Sequence, residues 1–112
     1  MVSNVDSPQR KMQILTLKKT GLGTPAISGS CANFCTVTYN GVGDYNINFT
    51  KKPFTLTPEI LLTVVTAQRV LRIGTVTNTS VQVLAFQMDG TTAAEADFHM
   101  MAIGTLAQDL LG

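Results

Sequence analysis

Gly41-Val42-Gly43-Asp44-Tyr45-Asn46-Ile47-Asn48-Phe49-Thr50 is the stretch whose reading decides the fold. From Tyr45 onward apolar and polar residues alternate: Tyr45, Ile47 and Phe49 fall on one side, Asn46, Asn48 and Thr50 on the other. Period two is the signature of a strand with one face in a core and one in water. Gly41 and Gly43 permit the positive backbone angles of a tight turn just before it. The Asp44 carboxylate is placed to accept from turn amides as Tyr45 enters the core. The element Gly41, Gly43, Asp44 and Tyr45 therefore reads as a structural turn, not a catalytic motif.

The same period extends in both directions. Lys11 to Lys18 alternates from Met12 through Ile14, and Phe34 to Tyr39 puts Cys35, Val37 and Tyr39 on one face. Threonine recurs in these runs, and its branched β-carbon suits a pleated surface. Pro53 and Pro58 place a loop or a sheet edge after the middle strand. Ile60 to Ala67 and Val81 to Phe86 are apolar on both faces, as expected of a central strand or of one whose outer face meets another subunit. Arg69 to Val76 supplies a further strand, Thr77-Asn78-Thr79-Ser80 and Asp89-Gly90-Thr91 are turns, and Phe98 to Ile103 is the last strand. Leucine content alone would allow a helix over 61–65, and Thr92 to Asp97 one helical turn. Turn signals about every ten residues predict an all-β chain: a single antiparallel β-sandwich, jelly-roll-like, of six to eight strands. Residues 1–10 have no periodic apolar face and read as an extended N-terminal arm, with the sandwich over 11–112; Thr20 to Ser30 reads as a flexible glycine-rich connection.

The chain has 112 residues, 45% hydrophobic and 13% charged, which suffices for one domain with a real core. The charged share is about half the ~25% of ordinary globular domains, which predicts that part of the surface meets protein, in an oligomer. A formal net charge of +1, with both signs mixed along the chain, offers no driver for nucleic acid or anionic membranes. No window approaches the ~18 apolar residues of a membrane span. The polar first ten residues lack the apolar stretch of a secretory signal, so the expectation is a protein made and kept in the cytoplasm or released by lysis. Placed on one strand, Cys31 and Cys35 would sit about 13 Å apart, beyond the ~7 Å reach of a disulfide. That predicts two half-buried thiols.

Side chains able to carry chemistry are sparse. His99 is the one histidine, and any nucleophilic triad would run through it; beside Phe98 and Met100 it reads as a buried or interface residue. Gly21-Leu22-Gly23 has no third glycine opening a helix and no phosphate-loop lysine. Asp44, Glu59, Asp89, Glu95, Asp97 and Asp109 fall in turns or near strand ends, where solvation explains them better than a carboxylate pair such as Asp89 with Asp97. Lys18-Lys19 and Lys51-Lys52 read as solvated strand ends that discourage edge pairing. Asn48-Phe49-Thr50 and Asn78-Thr79-Ser80 match the glycosylation sequon by chance. The expectation is a chain that is no enzyme, with no catalytic residues, no cofactor and no metal.

Gly41 to Phe49, followed by Lys52-Pro53-Phe54, a hydrophobic strand, Asn78 to Val83, Asp89-Gly90 and the closing Phe98 to Gly104, resembles the small β-sandwich module of tailed-bacteriophage virion proteins. That module is found in capsid decoration proteins and in the tips of head and tail fibres, and is typically homotrimeric. The resemblance covers about residues 35–104 and rests on structural positions. Only a short polar arm precedes the module, where a fibre protein carries a long shaft. The resemblance therefore implies a homotrimeric capsid decoration (cement) protein, sited on the capsid surface of a virion assembled in the host cytoplasm. Its partner would be the major capsid protein, bound through the arm Val2, Ser3, Asn4, Val5, Asp6, Ser7, Pro8, Gln9 and Arg10. Leu62, Val64, Leu84 and Phe86 would supply core and trimer interface. The alternative it implies is a fibre tip that binds host-surface glycans through loops such as 88–94.

Overall fold

The computed structural model describes residues 12–21 and 25–105, the side chains of Ser30 and Cys31 apart. The expected arm, Val2 to Arg10, lies outside the described residues. Within them the chain forms β1 (Met12–Thr20), β2 (Ala26–Ser28), a 3-10 turn (Ser30–Asn33), β3 (Cys35–Gly41), β4 (Asp44–Phe49), β5 (Glu59–Val64), β6 (Arg69–Val76), β7 (Ser80–Gln87) and β8 (Phe98–Thr105). Every strand pairing is antiparallel. The strands make two four-stranded sheets: sheet I in the order β2-β1-β8-β5, sheet II in the order β3-β4-β7-β6. The all-β sandwich is what the period-two pattern requires, since each sheet must bury its apolar face against another layer.

Alternation fills the space between the sheets. Leu15 and Leu17 of β1 with Phe98, Met100 and Ala102 of β8 face Tyr45, Ile47 and Phe49 of β4 and Val81, Val83 and Ala85 of β7. Phe54 enters from the β4–β5 connection and meets Phe49 edge-on at 5.2 Å between ring centroids. Side chains of this size each contribute about 1.5–3 kcal/mol when fully buried.

Gly43 makes the β3–β4 hairpin fit. Its φ is +66°, and a β-carbon there would stand 2.4 Å from the carbonyl oxygen of Ala85 and 2.8 Å from that of Ala94. Backbone passes on both sides of it: Ala85 N–H donates to the Gly43 carbonyl, and Ala94 N–H donates to the Ala85 carbonyl.

Several sequence expectations need correction. Cys31 is not on a strand: the Ser30–Asn33 turn takes it up, a 3-10 turn rises only ~2 Å per residue, and Cys35 is disulfide-bonded in a chain with one other cysteine. The Thr20–Ser30 connection contains a three-residue strand, β2, paired to the end of β1. Neither 61–65 nor 92–97 is helical; the first is strand and the second an irregular crossing from sheet II to sheet I. Asp44 does not bond turn amides; its Oδ1 accepts from Asn40 Nδ2 and Gln82 Nε2, each at 3.2 Å. Lys19 is no solvated strand end: it follows Leu15 and Leu17 onto the core face and is fully buried.

Candidate functional site

The two outer faces of the sandwich differ in chemistry. On sheet I the register stacks outward-facing residues in rows across β1, β8 and β5: Lys18–His99–Thr63, then Thr16–Met101–Leu61, then Ile14–Ile103–Glu59, with Met12 beyond. Met12, Leu61 and Ile14 are 70%, 57% and 49% exposed, so the middle of this face is apolar and open. A shallow depression of about 330 Å³ lies there, lined by Thr16, Leu61, Thr63, His99 and Met101. His99, expected to be buried or at an interface, is exposed on this face of the single chain.

Over β3 and β4, sheet II turns polar residues outward. Asn48 Nδ2 donates to Thr38 Oγ1 at 2.9 Å and lies 3.4 Å from Thr36 Oγ1, and Gln82 reaches Asp44 from the neighbouring β7. Such a ladder of polar pairs suits a face that remains in water.

The four residues assigned to core and interface separate into two places. Leu84 and Phe86 lie on the outer face of sheet II, where the Arg72 guanidinium covers the Phe86 ring at 4.5 Å. Leu62 and Val64 point inward from β5 and, with Leu71, Arg72 and Ile73 of β6, line a cleft of about 540 Å³ where the sheets part along one side.

A buried polar cluster at one end of the sandwich was not legible as a unit. Lys19 Nζ donates to the Ala96 carbonyl at 2.7 Å, pairs with Asp97 at 3.4 Å and sits 4.1 Å from the centroid of the Tyr45 ring. Burial pulls its pKa below the ordinary lysine value, against the opposing pull of Asp97 and Glu95. Glu95 gathers three donors: Tyr45 hydroxyl at 2.5 Å and Gly43 N–H at 3.2 Å on Oε1, and Tyr39 hydroxyl on Oε2. Burial alone would raise its carboxyl, but those hydrogen bonds outweigh it and hold the carboxyl below the usual range. Burial first, then the bond to Glu95, pushes the Tyr45 phenol up, so it stays a neutral donor. Arg69 Nε donates to the Glu95 carbonyl at 2.8 Å. The cluster pins the 95–97 segment as it crosses between sheets; with Lys19 sealed from solvent, it offers no reactive amine to a substrate. One signal could have exposed it: Lys19 shares parity with Leu15 and Leu17.

The carboxylates once weighed as a pair are engaged separately. Asp89 Oδ1 accepts from Thr91 and Thr92 N–H at 2.9 Å each and Oδ2 from Thr92 Oγ1, bonds that bring it down to about 2; Asp97 faces Lys19. Among the described residues no three His, Cys, Asp or Glu side chains converge as metal ligands. No described helix is long and apolar enough to cross a membrane. Fold and surface together define a two-sheet antiparallel β-sandwich with an open apolar patch on the outer face of sheet I and polar residues over β3 and β4 on that of sheet II. No protein-family model, curated protein or solved structure matches the chain.

Proposed function

We propose that this chain is a structural virion protein of a tailed bacteriophage: a homotrimeric capsid decoration protein that binds the assembled head and stabilises it. The observation that carries the reading is the unequal pair of outer faces, with Met12, Ile14, Leu61 and Met101 open on sheet I and the Asn48–Thr38 and Gln82–Asp44 pairs on sheet II. An apolar sheet face this open is a place for protein contact; a polar one can look outward from a particle. A ligand that binds the assembled shell and not its separated subunits shifts the equilibrium toward the shell by mass action. In this reading residues 2–10 reach the major capsid protein.

The glycan-binding fibre tip is the second reading, and it receives less support, because the Asp89 carboxylate in loop 88–94 is already engaged by its own turn. Light scattering on the purified chain tests self-association: a species of about 12 kDa, the mass of one chain, overturns the trimer. Removal of residues 2–10 is expected to abolish binding to heads of the encoding phage and to leave the oligomer intact. Unchanged occupancy of the heads refutes the arm's role, and glycan-array binding with labelling at the tail reverses the two readings.

A further inference from the structure

The two sheets have four edge strands among the described residues, and three of these are protected. β2 has only three residues. β3 ends in a register shift between Tyr39 and Gly41 and starts at the disulfide-bonded Cys35. β6 carries Arg69 and Arg72 and a shift between Ile73 and Val76. Short length, bulges and cations are the devices by which edges avoid pairing. β5 has none of them. Glu59-Ile60-Leu61-Leu62-Thr63-Val64 pairs with β8 in unbroken register, contains no proline or glycine, and carries one charge, at its first residue.

The direction of its free backbone groups follows from one hydrogen bond. Val65 N–H donates to the Asp97 carbonyl at 2.9 Å. In an antiparallel ladder the bonded pairs alternate, so Glu59, Leu61 and Thr63 also turn their N–H and C=O toward β8. Ile60, Leu62 and Val64 turn theirs to the open edge. Beside that edge Leu61, Val64 and Val65 are 57%, 38% and 54% exposed, and Leu62 and Val64 line the cleft shared with Leu71, Arg72 and Ile73.

We infer that β5 is a two-fold pairing edge whose occupant is β5 of a second copy of this chain. The strand is complementary to itself. Centred on Leu62, the pairing sets Ile60 against the second copy's Val64, Leu62 against its Leu62, and Val64 against its Ile60. Each of these three pairs exchanges both of its bonds, so every outward N–H and C=O of β5 is satisfied. On the outer face Leu61 falls beside Thr63, and Glu59 opposite the exposed Val65, so no two like charges meet. On the inner face the two clefts join into one seam, with Leu62 and Val64 of both copies at its centre. Sheet I becomes an eight-stranded sheet across an isologous interface.

The inference shares with the proposed function only the premise that the chain meets copies of itself, and mass separates the two. Two-fold pairing requires an even multiple of the 12.0 kDa chain: a dimer, or a hexamer if the trimer also forms. Leu62→Pro removes an N–H that bonds nothing among the described residues and blocks the edge. Val64→Lys places a charge in the seam where a lone strand can still hold it at the cleft mouth. Size-exclusion chromatography with light scattering, beside far-UV circular dichroism to confirm folding, is expected to show either folded variant at half the wild-type mass. If Leu62→Pro fails to fold, Val64→Lys gives the same reading. A wild-type monomer or three-chain trimer overturns the pairing, as does an even mass retained by a folded variant. A wild-type dimer upholds the pairing and removes the trimer.

Discussion

Replacing Glu95 by alanine strikes the one carboxylate on which the hairpin, the crossing segment and the core converge. Three donors lose their acceptor: Tyr45 hydroxyl, Gly43 N–H and Tyr39 hydroxyl. Tyr39 is exposed and recovers water at little cost, but Tyr45 and Gly43 are buried. A buried donor left unpaired costs about 1–3 kcal/mol, and because the Glu95 carboxylate is only half-buried, water entering the gap keeps both near the lower end. The expected loss is about 2 kcal/mol, a fall in Tm of about 8 °C for a domain of this size. Urea denaturation followed by tyrosine fluorescence measures it. Glu95→Gln keeps an acceptor oxygen without the charge, so its loss should be about half. The pH dependence has a definite sign. The carboxyl titrates lower in the folded chain than at the ordinary value of 4.5, so its stabilisation is complete above that value and is lost as pH falls through the folded one. The gap between wild type and Glu95→Gln should therefore shrink as pH falls below the ordinary value of 4.5. A Glu95→Ala protein within about 0.5 kcal/mol of wild type, or a gap that does not change with pH, would refute the claim that this carboxylate ties the three segments together.

Gly43→Ala should be the most damaging single-methyl change, since the new carbon meets the backbone of both Ala85 and Ala94, whereas Gly90→Ala, with open space around it, should cost about 1 kcal/mol; thermal melts distinguish them, and equal shifts would be the contrary result. Lys19→Met keeps the apolar stem against Tyr45 and Phe98 but gives up a buried carbonyl contact and the pair with Asp97, so it should cost about 2 kcal/mol, and Lys19→Ala, which also leaves a cavity, about 4 kcal/mol. Urea titration should rank them so; an alanine variant as stable as the methionine one would show that the stem's packing counts for little. Cys35→Ala removes the disulfide; with Cys31 the one other cysteine, the loop closed is five residues, for which chain entropy gives about 2 kcal/mol. Dithiothreitol should shift the wild type by a similar amount and leave the variant unmoved; a wild type indifferent to reductant would refute it.

Strand content and the choice of core were written in the residues, because a period of two is a local property. Tyr45, Ile47 and Phe49 declare their buried face within six residues, and so do Val81, Val83 and Ala85. β8 was read as Phe98 to Ile103 and runs to Thr105, and Arg69–Val76 was read to the residue. Lys19 was misread because its neighbour Lys18 suggested a solvated pair, although adjacent residues on a strand face opposite ways. Cys31 was misread because the strand was begun too early. Glu95 sits about fifty residues from Tyr45 and Gly43, and no local pattern joins them.

Alternation along the chain thus determined that this is an all-β sandwich and which side chains fill it, because pleat and hydrophobicity act between near neighbours. The order of strands in each sheet was decided only by packing in three dimensions. So were the three donors around the Glu95 carboxylate, the apolar patch on one outer face, and, among the described residues, an edge strand without protection. These depend on which distant segments come to lie side by side, and antiparallel strands of similar composition allow many such pairings before the core selects one.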